Sequence, residues 1–186
     1  MTTSASTKTV IPAGTWKIDP AHSKAGFAVK HMGVSTVRGE FREFEGTIEV
    51  GESLDDARAY GTAKVESIDT GVADRDAHLR SPDFFDAENN PEIRFESKRF
   101  EATGEDTFKV VGDLTMNGVT REVELDAEVT GVGENMEGEQ LLGLEATGVV
   151  SRKDFQMKFN AVLGTGNAVV ADKVKLQLDL EAIKQA

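Results

Sequence analysis

Thr120-Arg121-Glu122-Val123-Glu124-Leu125-Asp126-Ala127-Glu128-Val129-Thr130 is the stretch that decides the fold. Val123, Leu125, Ala127 and Val129 share one parity, and Glu122, Glu124, Asp126 and Glu128 share the other. Wound into a helix, the four acids would spread round the whole cylinder. Drawn out as a strand, they gather on one face and leave an apolar face behind. The segment therefore reads as a half-buried strand, and clean alternation belongs to antiparallel sheets with one wet side. Just upstream, Phe108, Val110, Gly112, Leu114 and Met116 also share a parity. Asn117-Gly118 separates the two runs, and both residues tolerate the positive φ of a type I′ turn. Strands over 107–116 and 120–130 are expected to pair as a hairpin.

Outward from this hairpin the pattern recurs. Leu142, Leu144, Ala146, Gly148 and Val150 share a parity; Val174, Leu176, Leu178 and Leu180 oppose Lys173, Lys175, Gln177, Asp179 and Glu181. Weaker alternation runs through Phe27 and Val29, Val37 and Phe41, Ile48 and Val50, Ala59 to Val65, and Ile93 and Phe95. Turn signals such as Gly104-Glu105-Asp106 and Gly131-Val132-Gly133 separate the runs, which predicts eight to ten strands. One segment departs: residues 73–81 lack β-branched residues and precede Pro82, as a short helix would. Asp76 and Arg80 lie four apart on it and could pair, worth about a few tenths of a kcal/mol. With no repeat or linker, the chain reads as one domain over 14–182, preceded by a flexible tail at 1–13.

The chain has 186 residues, no Cys and a formal charge of −12. That length can bury a core without staples, and the lack of Cys excludes disulfides, thiolate metal sites and cysteine nucleophiles. The acidic balance argues against a nucleic-acid partner, which needs a basic face. Residues 101–145 hold twelve acids and two bases, a net −10 that places most of the excess on the hairpin and the turn beyond. No apolar run of about 18 residues is present, so no transmembrane helix is expected. The opening Met-Thr-Thr-Ser-Ala-Ser lacks a secretory h-region, which gives a cytoplasmic expectation.

A sheet of so many one-sided strands must close into a barrel or fold into a sandwich. Its inward parity is rich in small residues: Ala59, Gly61, Ala63, Gly112, Ala127, Ala146 and Gly148. Two readings stand. Small inward residues leave room for one apolar ligand, or they make way for strand bends and for Trp16, Phe27, Phe41, Phe95 and Phe108.

Chemistry-bearing motifs are sparse. His22, His31 and His78 show no metal-ligand spacing, and no phosphate-binding or dinucleotide fingerprint occurs, so no metal or cofactor is expected. His22 sits in a turn where Asp19 or Ser23 can bond its ring. His31 shares the inward parity of Phe27, and His78 follows Asp74 by four, which suggests a local pair. Ser23 with His22, or Ser81 with His78 and Asp74, can be drawn as triads. Sequence neighbours rarely have triad geometry, so no catalytic residue is assigned.

Several stretches together resemble one known family. They are Trp16-Lys17-Ile18-Asp19-Pro20-Ala21-His22-Ser23, Phe27-Ala28-Val29-Lys30-His31 and Gly39-Glu40-Phe41. Asp74-Arg75-Asp76-Ala77-His78-Leu79-Arg80-Ser81, Asp83-Phe84-Phe85-Asp86, Pro91-Glu92-Ile93-Arg94-Phe95 and Gly112-to-Thr120 continue the series. Arg152-Lys153-Asp154-Phe155 and the strand Val174–Glu181 close it. In this order they resemble the YceI-like family of polyisoprenoid-binding, lipocalin-like proteins, over about residues 14–182. The family often has Gly after Phe155; here Gln156 stands there. The resemblance implies an all-β fold: an extended eight-stranded antiparallel barrel with a short helix. It also implies a tunnel for a long isoprenoid, and a homodimer. The expected function is binding, storage or transport of a polyprenyl phosphate or isoprenoid quinone. Phe27, Val29, Phe41, Ala63, Phe95, Leu114 and Leu144 are expected to line the tunnel. His31, Arg75, His78 and Arg80 are the head-group candidates, since arginine donors suit a diphosphate; ordinary salt bridges are the competing role. A cofactor-free enzyme on a lipid-like substrate and a stress-linked interaction module are the alternatives.

Overall fold

The computed structural model describes residues 11–159 and 169–186. Among them are eleven strand segments and one α-helix, α1 (Ala73–Arg80). The strands are β1 (Gly14–Ile18), β2 (Lys24–His31), β3 (Ser35–Phe41), β4 (Phe44–Val50), β5 (Arg58–Lys64) and β6 (Ile68–Asp69), then β7 (Glu92–Ala102), β8 (Thr107–Met116), β9 (Val119–Glu134), β10 (Gln140–Ser151) and β11 (Val170–Lys184). These segments fill eight positions in one closed antiparallel barrel. β1 and β2 are one position broken by a corner at 19–23; β3 with β4, and β5 with β6, are broken likewise. The barrel shuts because one edge of β11 takes β2 (Phe27 opposite Leu176) and then β1 (Trp16 opposite Lys184). Closure leaves no long unpaired edge at that seam, which an open sheet of this width would expose.

The decisive hairpin forms as expected. β8 and β9 pair from Met116–Val119 to Thr107–Glu128, and Asn117 (φ 52°) and Gly118 (φ 74°) make the turn. On the outer face, Lys98 of β7 reaches Asp113 at 3.2 Å and Glu122 at 3.1 Å, and Lys109 reaches Glu124 at 3.7 Å. The acidic stripe is thus partly neutralised across the sheet by a base outside residues 101–145.

Helix α1 ends before Pro82, as its sequence requires. The Asp76–Arg80 pair does not form. Asp76 is buried and accepts hydrogen bonds from the Thr70 amide (2.8 Å) and hydroxyl (2.5 Å). Arg75 donates to the Thr70 hydroxyl and carbonyl oxygens, both at 2.7 Å. Satisfying a loop's polar groups at a half-buried site contributes on the order of 1 kcal/mol per bond, against a few tenths for an exposed helix pair. Arg80 instead donates to the Glu66 carbonyl at 3.2 Å.

Two packed cores occupy the barrel's ends. Trp16, Ile48, Val50, Phe108, Val129, Leu142, Leu144 and Ala182 fill one. Leu114, Met116, Val150, Phe155 and Met157 fill the other, on the side of α1. Residues 1–10 of the expected tail lie outside the described residues. Ile11, also in that span, packs on the first core, and Trp16 donates to the Pro12 carbonyl at 3.0 Å. Among the described residues no helix is long and apolar enough to cross a membrane.

Candidate functional site

Between the two packed ends lies a cavity of about 350 Å³ with an almost wholly apolar lining. All seven residues expected on a tunnel wall stand on it: Phe27, Val29, Phe41, Ala63, Phe95, Leu114 and Leu144. Phe27 and Phe41 meet at 5.8 Å between ring centroids, and Phe41 meets Phe85 edge-on at the same distance. Phe27, Phe41, Phe85 and Phe95 remain only half-buried although they point inward, because each lines the hollow and keeps part of its ring facing it.

The small inward residues divide between the two readings. Ala59, Ala63, Ala127 and Ala146 line the cavity and so provide space. Gly112 and Gly148 make way for neighbours: a Cβ there would stand 2.6 Å from the Phe95 ring and 2.6 Å from Leu125 Cδ2.

The α1 end supplies what the sequence reading missed. Leu79 of α1 and Phe84 and Phe85 of the loop after it close the wall where β6 and β7 do not pair. Arg152 also lines the cavity and is buried. It donates to the carbonyls of Ala171 (2.8 Å), Met157, Phe159 and Val170 (each 3.1 Å), which ties the turn after β10 to the start of β11. Burial lowers its pKa from the usual arginine value, and the nearby Asp172 opposes that shift. The motif Arg152-Lys153-Asp154-Phe155 was legible as a resemblance, but nothing local to it says that its arginine turns inward.

None of the four head-group candidates lines the cavity. His31 is half-buried one pleat beyond Val29, at the end of β2. Arg75 and Arg80 are held by Thr70 and Glu66, as described. His78 touches the wall through its edge-on contact with Phe84 (5.1 Å), and its Nε2 pairs with Asp83 at 2.8 Å rather than with Asp74. The turn after α1 brings Asp83 to the edge of the ring, within hydrogen-bond reach of Nε2. His22 bonds Asp19 at 2.6 Å, one of its two expected partners, and its pKa is raised by that bond. Neither drawn triad is assembled. Ser23 Oγ donates to the Glu181 carbonyl and Ser81 Oγ to the His78 carbonyl.

A closed antiparallel barrel with an apolar hollow between packed ends defines a lipocalin-like class of protein. Within it, the chain belongs to the YceI-like domain family, whose profile matches residues 16–182. A UPF0312 protein of Photorhabdus laumondii is 40% identical over 149 residues, 78% of this chain and 77% of that protein. A Staphylococcus epidermidis UPF0312 protein is 36% identical over 168 residues, 89% and 95%. Among solved structures, the YceI protein of Campylobacter jejuni superposes with a TM-score of 0.73 at 28% identity, over 84% of this chain and 90% of that one. A polyisoprenoid-binding domain from Saccharophagus degradans superposes with a TM-score of 0.68 at 14% identity, over 91% and 98%; this likeness is one of fold.

Proposed function

We propose that this protein binds a long-chain isoprenoid lipid, a polyprenyl phosphate or an isoprenoid quinone, and stores or carries it with the chain inside the barrel. The observation that carries the reading is a hollow of about 350 Å³ whose inward Phe27, Phe41, Phe85 and Phe95 are left half-exposed. A hydrocarbon chain gains about 0.8 kcal/mol per methylene buried, which this wall supplies without asking for a polar group. Membership of the YceI-like family and the fold shared with a polyisoprenoid-binding domain support the isoprenoid class. The seven wall residues named from the sequence contact the chain. The head group lies at the α1 end beside His78, which touches the wall through Phe84.

Organic extraction of the purified protein, followed by mass spectrometry, tests the reading. A roughly stoichiometric isoprenoid is the expected result, or saturable uptake of an added polyprenol or quinone by stripped protein. Extracts without isoprenoid, together with no uptake of either lipid, refute it. Light scattering on the same samples tests the homodimer implied by the resemblance.

A further inference from the structure

The corner between β1 and β2 brings three ligand-type side chains together on the outside of the barrel. Asp19 and His22 come from the corner itself, and Glu181 comes from β11, 158 residues beyond Ser23. One ligand atom from each lies within 4.8 Å of the others. His22 Nδ1 stands 2.6 Å from Asp19 Oδ2 and 4.0 Å from Glu181 Oε1. We propose that Asp19, His22 and Glu181 form a site for a divalent transition-metal ion of the zinc class, which clips the first strand's corner to the last strand.

The donor set decides the class of ion. One imidazole nitrogen with two carboxylate oxygens is a borderline set that suits zinc, whereas calcium and magnesium ask for oxygen alone. Zinc bonds of about 2.0–2.2 Å in a tetrahedron place neighbouring ligands roughly 3.3–3.6 Å apart. Metal binding would lengthen the 2.6 Å Asp19–His22 contact and shorten the 4.0 Å His22–Glu181 distance toward that spacing. Three protein ligands leave a position for water, and the 66% exposure of the His22 side chain provides it.

The frame behind the ligands is already fixed. The Asp19 amide donates to the Glu181 carbonyl at 2.8 Å, and the Glu181 amide donates to Ser23 Oγ at 2.9 Å. Asp19 Oδ1 accepts the Ala21 amide at 3.0 Å, which orients the carboxylate and leaves Oδ2 as the outward donor. Hydrogen bonds of this kind hold metal-binding carboxylates in place. The site also sits where β11 passes from pairing with β2 to pairing with β1, between Lys24–Asp179 and Ile18–Ala182. A bound ion there crosslinks the closing seam of the barrel.

The test is titration of the full chain with zinc sulfate in a non-chelating buffer near neutral pH, followed by calorimetry and by NMR of the histidine rings. One ion per chain is expected, with the His22 ring signals moving while those of His31 and His78 stay in place. His22→Ala and Glu181→Gln each weaken binding about tenfold or more, which is about 1.4 kcal/mol. Glu124→Gln, an acid on the outer face of β9, leaves it unchanged. The NMR readout on the unaltered protein needs no variant to fold. Absence of saturable binding overturns the proposal. Binding that survives both ligand substitutions overturns it too, because the ion is then only condensing on a chain of charge −12.

Discussion

Ala63→Phe separates a hollow barrel from a packed one by the sign of its effect. Ala63 lines the cavity, half-buried, with Phe44 opposite on β4 and Ile93 opposite on β7. Fully burying a phenylalanine side chain contributes about 1.5–3 kcal/mol. The cavity is partly open, so about half of that applies, and ligand-free protein gains roughly 1 kcal/mol. For a chain of this size that raises Tm by about 2–4 °C. In a packed core the same ring would be overpacked and cost about 1–3 kcal/mol. The ligand feels the opposite effect. The added ring displaces roughly one five-carbon isoprenyl unit, about 4 kcal/mol of gross burial at about 0.8 kcal/mol per carbon. Partial readjustment of a flexible chain still leaves a loss of about tenfold or more, at 1.4 kcal/mol per decade. Denaturant titration followed through the single, fully buried Trp16 measures the first effect, and uptake of geranylgeraniol by stripped protein measures the second. Destabilisation of the ligand-free protein together with unchanged uptake would refute the hollow interior.

Three further changes probe the frame around the cavity. Arg152→Met removes four hydrogen bonds to main-chain carbonyls. It is expected to cost about 3 kcal/mol in denaturant titration, since a buried acceptor left unsatisfied costs about 1–3 kcal/mol and only the Met157 bond is fully buried, the other three carbonyls being within reach of water; a loss below about 1 kcal/mol contradicts that role. Gln156 sits in the left-handed region (φ 58°, ψ 24°), so Gln156→Gly should raise stability by about 0.5–1 kcal/mol, because a side chain there costs about 1–2 kcal/mol and glycine's looser unfolded chain returns part of it. A lower Tm would show that the Gln156 side chain does more than tolerate the turn. Asp69, bonded by Arg42 and the Gly71 amide, and Asp172, bonded by Ser151 and the Lys153 amide, both titrate below the ordinary aspartate value of 3.8. Their contribution is present above that value and disappears as pH falls through the lower folded values. The double change to Asn should therefore flatten the fall of Tm in acid, and an unchanged pH profile would contradict the assignment.

The wall of the barrel was legible in the sequence because period-2 alternation is a local signal. Val123 to Val129 state their face without reference to anything distant, and Asn117-Gly118 states its turn. The seven wall residues share that inward parity, but parity alone leaves a packed interior open, and it is the resemblance that makes them a tunnel wall. The side chains that close the α1 end have no such signal. Arg152 looks like one more surface base until the chain's return at Val170 and Ala171 supplies its acceptors. Asp76 reads as the partner of Arg80 until the fold brings the Thr70 amide and hydroxyl to its carboxylate. Both are decided by contacts between segments, and charge spacing along one segment does not encode them. The Gln156 position is the intermediate case: departure from a family glycine marks a turn, and the positive φ gives the physical reason.

A hollow of this size has to be reconciled with the narrow margin on which proteins fold. At about 24 cal/mol per Å³, the cost measured for cavities cut into packed cores, 350 Å³ corresponds to roughly 8 kcal/mol. That is comparable with the whole stability of a typical domain, about 5–15 kcal/mol. The barrel distributes the burden in two ways. Its ladder closes on itself through β11, so the strands at the seam are paired rather than left as open edges. The residues that are packed, Trp16, Leu142 and Ala182 at one end and Phe155 at the other, are excluded from solvent at 0–1% exposure. On the proposed function the middle is completed from outside: an apolar chain threaded past Phe27, Phe41 and Phe95, which line the cavity, would supply contacts that the protein's own side chains do not make. Because such a ligand binds the folded barrel and not the unfolded chain, it stabilises the fold by mass action. Protein stripped of its lipid should therefore melt below protein purified with it, and the gap should close on adding the lipid back. Equal melting temperatures in the two forms would mean that the interior is completed by something other than a ligand.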